Sequence, residues 1–102
     1  MQPIITENCD KIIELCRQHH VRRLSVFGSA VRDDFDPERS DVDFLVEFAV
    51  PPEQRYAPNF FLLQNRLEQL LATKVDLVIA GAIRNPYLLR GIREDERELY
   101  AA

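Results

Sequence analysis

Asp41-Val42-Asp43-Phe44-Leu45-Val46-Glu47-Phe48 decides how this chain is read. Successive side chains of a strand point to opposite faces, so Val42, Phe44, Val46 and Phe48 share one side and Asp41, Asp43, Leu45 and Glu47 the other. The first set predicts a buried face. The second carries two carboxylates two residues apart. Pro51-Pro52 stops the strand, because proline cannot donate to a ladder.

Upstream, Leu24-Ser25-Val26-Phe27 reads as a short buried strand ending at Gly28-Ser29. The polar, acidic stretch from Arg32 to Ser40, interrupted by Pro37, reads as loop. From Thr6 to about His20, Cys9, Ile12, Ile13 and Cys16 recur at helical spacing, with Thr6 or Asn8 as N-cap. Downstream, Asn59 is a candidate cap for a helix to about Leu71, with Phe60, Leu63, Leu67 and Leu70 as its buried stripe. Phe61, Leu62 and Leu71 widen that stripe beyond one core face; they read either as further core or, preferably, as a surface offered to a partner. Lys74-Val75-Asp76-Leu77-Val78-Ile79 is a third strand, closed by Gly81. Asn85-Pro86 opens a last helix, expected to run to about Tyr100. In it Arg90, Arg93 and Arg97 interleave with Glu94, Asp95, Glu96 and Glu98, as on an exposed ion-paired helix. The expectation is one α/β (α+β) domain over residues 1–102, a small mixed sheet of three or more strands with helices on one face.

A length of 102 residues suits one compact domain, and 46% hydrophobic with 29% charged residues is a globular balance. The net charge of −4 argues against duplex DNA binding through phosphate neutralisation. No apolar run approaches the roughly 18 residues of a membrane span, and no basic segment precedes an apolar one at the N-terminus. Two cysteines, Cys9 and Cys16, make no disulfide framework and read as small buried hydrophobes. A cytoplasmic protein is expected. His19-His20 beside Cys16 lacks a second cluster to complete four metal ligands and fits a helix C-terminus, where positive charge is favoured. Arg22-Arg23 reads as a solvated pair.

Three features converge on chemistry: Gly28-Ser29 directly after a strand, Asp41 and Asp43 on one face of the next, and Asp76 on the outward side of the last. Carboxylates two apart on a strand are separated by about 6.6–6.8 Å at the backbone, which suits a pair of hard cations about 3.5–4 Å apart. Magnesium takes such oxygen ligands and keeps sites free for phosphate. A Gly-Ser turn at a strand end lets backbone N–H groups and a hydroxyl approach a triphosphate. Asp76 could complete a three-carboxylate set, as metal ligand and as proton acceptor for an attacking hydroxyl.

Val26-Phe27-Gly28-Ser29, eleven residues, then Asp41-Val42-Asp43 is similar to the signature of the DNA polymerase β nucleotidyltransferase superfamily. Phe27–Arg32, Ser40–Glu47, Val75-Asp76-Leu77-Val78 and Asn85-Pro86-Tyr87 together resemble its minimal nucleotidyltransferases (MNT), whose partners are HEPN-domain toxins. Many of those proteins have a glycine soon after the Gly-Ser turn and ten residues before the first aspartate; here Asp33-Asp34 follow and the spacing is eleven. The resemblance implies a minimal nucleotidyltransferase fold and transfer of AMP from ATP to a hydroxyl, with two Mg2+ ions. It implies nucleotide binding by Gly28, Ser29 and Arg32, and metal binding and catalysis by Asp41, Asp43 and Asp76. It also implies an antitoxin that silences a HEPN ribonuclease toxin by adenylylating a tyrosine.

Two outward aspartates alone are ordinarily a solvated face; their order with Gly-Ser and a third aspartate on successive strands favours a site. A calcium loop lacks its further oxygen ligands and its glycine at position six. Sugar-nucleotide transferases with Asp-x-Asp need a larger scaffold. The alternative from another class is an inactive antitoxin that masks the toxin sterically, against which the intact Ser29, Asp41, Asp43 and Asp76 count. A small-molecule nucleotidyltransferase would need a second copy to form a drug pocket.

Overall fold

The computed structural model describes residues 1–32, 36, 39–49 and 56–102, for 56–58 the backbone alone. In chain order these form α1 (Pro3–Thr6), α2 (Cys9–Gln18), β1 (Val21–Phe27), a 3-10 turn (Gly28–Ala30), β2 (Val42–Phe48), α3 (Tyr56–Leu71), β3 (Val75–Ile79), a second 3-10 turn (Ala80–Ala82), α4 (Pro86–Asp95) and β4 (Arg97–Ala101). One sheet has the order β3-β2-β1-β4. β1 is antiparallel to both β2 and β4, whereas β2 and β3 are parallel and joined through α3. The mixed sheet is as expected, with a fourth strand added.

The alternation of β2 sorts the molecule into two layers. Val42, Phe44 and Val46 join Leu24, Val26, Val75 and Leu77 in a core closed by Ile5, Ile12, Cys16, Leu63, Leu67 and Leu71 from α1, α2 and α3. Leu45 points the other way and packs with Ala80 and Ile92, flanked by Phe27, Val78 and Ile83. Helices were expected on one face; α1–α3 lie there, and α4 covers the opposite face through Ile92.

Several local expectations are corrected. The first helix breaks at Glu7-Asn8; Asn8 takes the N-cap position of α2 as expected, but its side chain caps no N–H there and its Nδ2 donates back to the Ile4 carbonyl at 2.8 Å. Thr6 likewise donates to the Pro3 carbonyl. β1 begins at Val21, three residues before Leu24. α3 begins at Tyr56, so Asn59 lies inside the helix and does not cap it. Leu71 is core, whereas Phe61 and Leu62 are exposed as expected. Gln64 Nε2 donates to the Val75 carbonyl, and Glu68 Oε2 accepts from the Val75 N–H, fixing where β3 starts. Pro37 and Pro51-Pro52 lie outside the described residues.

The helix expected to reach Tyr100 ends at Asp95. Glu96 adopts extended backbone (φ −63°, ψ 148°), and Arg97–Ala101 pairs with β1. A through-space network decides this. The buried Glu96 carboxylate accepts from Arg23, Arg93 and Ser25, and Arg23 also pairs with Glu98. Asn85 does cap α4, its Oδ1 accepting from Tyr87 N–H at 2.9 Å and Leu88 N–H at 3.4 Å. His19 stands at the C-terminus of α2 but is buried, with Nε2 unpartnered among the described residues. Burial, then the nearby Arg66 and His20, hold its pKa below 6.5, so the expected positive charge is disfavoured. Cys16 is buried, which with Cys9 nearby pushes its thiol up to about 12; Cys9 is half-buried.

Candidate active site

The site forms at the sheet end where β1 finishes and β2 and β3 begin. In the register, Asp43 lies opposite Phe27 on one side and Asp76 on the other. Opposed residues of neighbouring strands share a face, so the Asp43 and Asp76 side chains leave the sheet together, on the α4 side. Asp76 and Asp41 are exposed and Asp43 is half-buried.

Gly28 fits here for two independent reasons. Its φ of +74° lies in the left-handed region that glycine adopts freely. A Cβ at this position would stand 2.5 Å from Asp43 Oδ2, so the turn and the carboxylate occupy adjoining space only because the side chain is missing. The turn is held from behind: Val31 and Arg32 N–H groups donate to the Gly28 carbonyl, and Gln2 bonds the Ala30 and Arg32 carbonyls. Ser29 sits at its middle, half-buried.

Electrostatics single out Asp43. Burial first, then the Asp76 and Asp41 charges, push its pKa up from 3.8 to about 6, against the opposing pull of Arg32. Arg32 meets Asp95 of α4, Nη1 to Oδ2, at 2.5 Å. A cavity of about 430 Å³ is lined by Phe27, Gly28, Arg32, Asp43, Tyr87, Leu88, Gly91, Ile92 and Asp95. It gathers three of the expected site residues, Gly28, Arg32 and Asp43. Asp76 and Asp41 adjoin through Asp43, and none of Ser29, Asp41 and Asp76 lines the cavity.

Among the described residues, no three His, Cys, Asp or Glu side chains are already gathered as a set of metal ligands. The fit to a divalent cation rests on donor chemistry. Oxygen-only ligands are what magnesium takes, and their mutual repulsion, visible at Asp43, is what a cation would relieve. Sequence reasoning missed Asp95, which lay in a run of alternating charge with nothing to distinguish it from its neighbours; only the contact with Arg32 does so.

The fold agrees with the comparisons. The model of the nucleotidyltransferase domain matches residues 9–100. A Methanocaldococcus jannaschii protein, named provisionally as a protein adenylyltransferase, is 44% identical over 81 residues, covering 79% of each chain. The protein adenylyltransferase MntA of Thermococcus cleftensis is 38% identical over 81 residues, 79% of this chain and 78% of that one. A solved structure provisionally described as a minimal nucleotidyltransferase superposes with a TM-score of 0.78 at 30% identity over 95% of both chains. A tri-AMPylated Shewanella oneidensis HEPN toxin in complex with its MNT antitoxin is matched with a TM-score of 0.66 at 23% identity, over 95% of this chain and 72% of that one, and shares the fold. The chain belongs to the nucleotidyltransferase domain family, among its minimal members. It is a nucleotidyltransferase. Among the described residues no helix is long and apolar enough to cross a membrane.

Proposed function

We propose that this protein transfers AMP from ATP to a tyrosine hydroxyl of a HEPN-domain toxin, in the cytoplasm, and so acts as the antitoxin of the pair. One observation carries the reading: Gly28, Asp43 and Asp76 meet at one sheet end, with Asp43 already held partly against ionisation by its neighbours. Protein adenylyltransferase names among the relatives, and an AMPylated toxin in one complex sharing the fold, support the acceptor class.

The Gly28-Ser29 turn supplies backbone N–H groups and a hydroxyl to the triphosphate, and Arg32 adds a cation beside it. Asp41, Asp43 and Asp76 would hold two magnesium ions, which when bound neutralise phosphate charge. The acceptor oxygen attacks the α-phosphorus, its new P–O bond replaces the bond to the β-phosphate oxygen, and pyrophosphate leaves. The proton of the hydroxyl passes to the Asp76 carboxylate. Tyrosine needs such help, since its unperturbed pKa is about 10.

Asp76→Asn tests the reading, because it keeps the shape and removes the proton acceptor. The variant should still bind the toxin and magnesium-ATP, yet leave no AMP on the toxin by mass spectrometry and fail to rescue cells producing it. Full rescue without AMP on the toxin would mean steric masking, and the enzymatic reading would be lost.

A further inference from the structure

The inner face of α4 extends the cavity away from the phosphate turn. Tyr87, Leu88, Gly91, Ile92 and Asp95 all line it with Gly28, Arg32 and Asp43. Asp95 holds Arg32 at one end of the helix. Tyr87, eight residues earlier, lies about 12 Å away along the axis. Tyr87 is 79% and Leu88 56% exposed, a large apolar area left in water beside a polar site. The Asn85 cap ties both of their N–H groups, so the turn presenting them is fixed. One turn on, a Cβ built at Gly91 would meet nothing within 4 Å; the missing side chain leaves open cavity and serves no backbone packing.

The lining thus passes from a guanidinium and a phosphate-type turn to an aromatic ring and a leucine. A nucleoside triphosphate has the same order of chemistry, anionic phosphates joined through a sugar to a flat base with apolar faces. The volume of about 430 Å³ is that of a small-molecule site. We propose that Tyr87 and Leu88 form the platform on which the nucleotide base stacks, with Gly91 leaving room for its edge. This rests on the reading of the site as nucleotide-transferring and specifies that reading's substrate contacts. A purine, with the larger ring area, is the base this platform fits.

Calorimetric titration of the full chain with a non-hydrolysable ATP analogue and, separately, with inorganic tripolyphosphate, both with magnesium, tests the platform. Stacking on an aromatic side chain is sequence-tolerant, and its loss on truncation costs on the order of tenfold in affinity. Tyr87→Ala should weaken the analogue by about that factor and leave tripolyphosphate binding unchanged, while Tyr87→Phe retains wild-type affinity. Gly91→Leu, which fills the cavity from the next turn, should weaken the analogue selectively too. Unchanged analogue affinity in Tyr87→Ala overturns the platform, whatever Gly91→Leu does, and leaves the exposed pair to other work, such as docking a protein. An equal loss of tripolyphosphate binding overturns it as well, since the effect would then be general distortion. If the wild type binds neither probe, the nucleotide reading of the site itself falls, and the platform with it.

Discussion

β2 carries Asp43 and Glu47 on the same face, four residues apart, and the protein treats the two carboxylates in opposite ways. Glu47 is met by Arg22 at 2.9 Å and Arg23 at 3.6 Å, and these, with Arg93 nearby, hold its pKa below the usual range. At the other end Asp43 is half-buried and stands against Asp76 and Asp41, and burial first, then those charges, raise its pKa. The surroundings of Glu47 and Glu96 are arranged as structure: arginines opposite carboxylates, tying β4 to β1. Around Asp43, burial and the Asp76 and Asp41 charges outweigh the opposing pull of Arg32. Perturbed groups in a cleft mark functional sites more often than balanced pairs do, and here both kinds occur on one strand.

The largest expected effect breaks this comparison most directly. Asp43→Asn should lower adenylyl transfer on the order of 10³-fold or more, the scale of losing metal-assisted charge stabilisation. Glu47→Gln should leave transfer close to wild type. Turnover by Asp43→Asn near wild type, measured as AMP incorporated into the toxin, would remove the carboxylate cluster from the mechanism.

Gly28→Ala comes next. The added methyl meets the Asp43 carboxylate at 2.5 Å on a backbone already at positive φ, so the turn, the carboxylate or both must shift. A displacement of about 1 Å in a positioned group costs on the order of 10² in rate. Steady-state kinetics should show a fall in kcat/KM of that size. Retained activity would show that the turn and Asp43 move independently.

Glu96→Ala attacks the balanced end. It strips a carboxylate from Arg23 and Arg93 and an acceptor from the buried Ser25 hydroxyl. The arginines retain water contact, so the expected loss is about 2 kcal/mol, roughly a 10 °C fall in Tm, with turnover of the folded protein preserved. A fall in turnover without a fall in Tm would join the two ends into one device.

What could be read from the chain alone follows the same division. The alternation over 41–48 and the position of Asp76 on β3 are period-two patterns, carried by neighbouring residues. They place the three carboxylates on one face. β4 was not legible, because alternating charge over 93–98 suits a helix surface equally, and the deciding partner, Arg23, lies far away in sequence. The closeness of Gly28 to Asp43 and of Arg32 to Asp95 is likewise set by how strands and helix pack. Local periodicity found the acids; through-space contacts supplied what surrounds them.

The smallest expected effect concerns pH, where the two carboxylates of β2 should differ in sign. Asp43 has a folded pKa raised from 3.8 to about 6, so between these values the native state binds more proton than the unfolded chain. Stability from this group is then present below pH 3.8 and lost as pH rises through about 6. The full shift would amount to a few kcal/mol, and solvent screening of a half-buried group reduces it to about 1 kcal/mol. Glu47, with its pKa lowered from 4.5, contributes stability above that pH and loses it as pH falls. Urea unfolding with chelator present can separate them. Asp43→Asn should match wild type near pH 4 and exceed it by about 1 kcal/mol at pH 7, an advantage that added magnesium shrinks by stabilising the wild type. Glu47→Gln should be weaker than wild type at pH 7, with the deficit closing as the pH falls below 4. A constant advantage of Asp43→Asn across pH would show that its carboxylate is not held against ionisation, and the contrast between the two ends of β2 would reduce to packing.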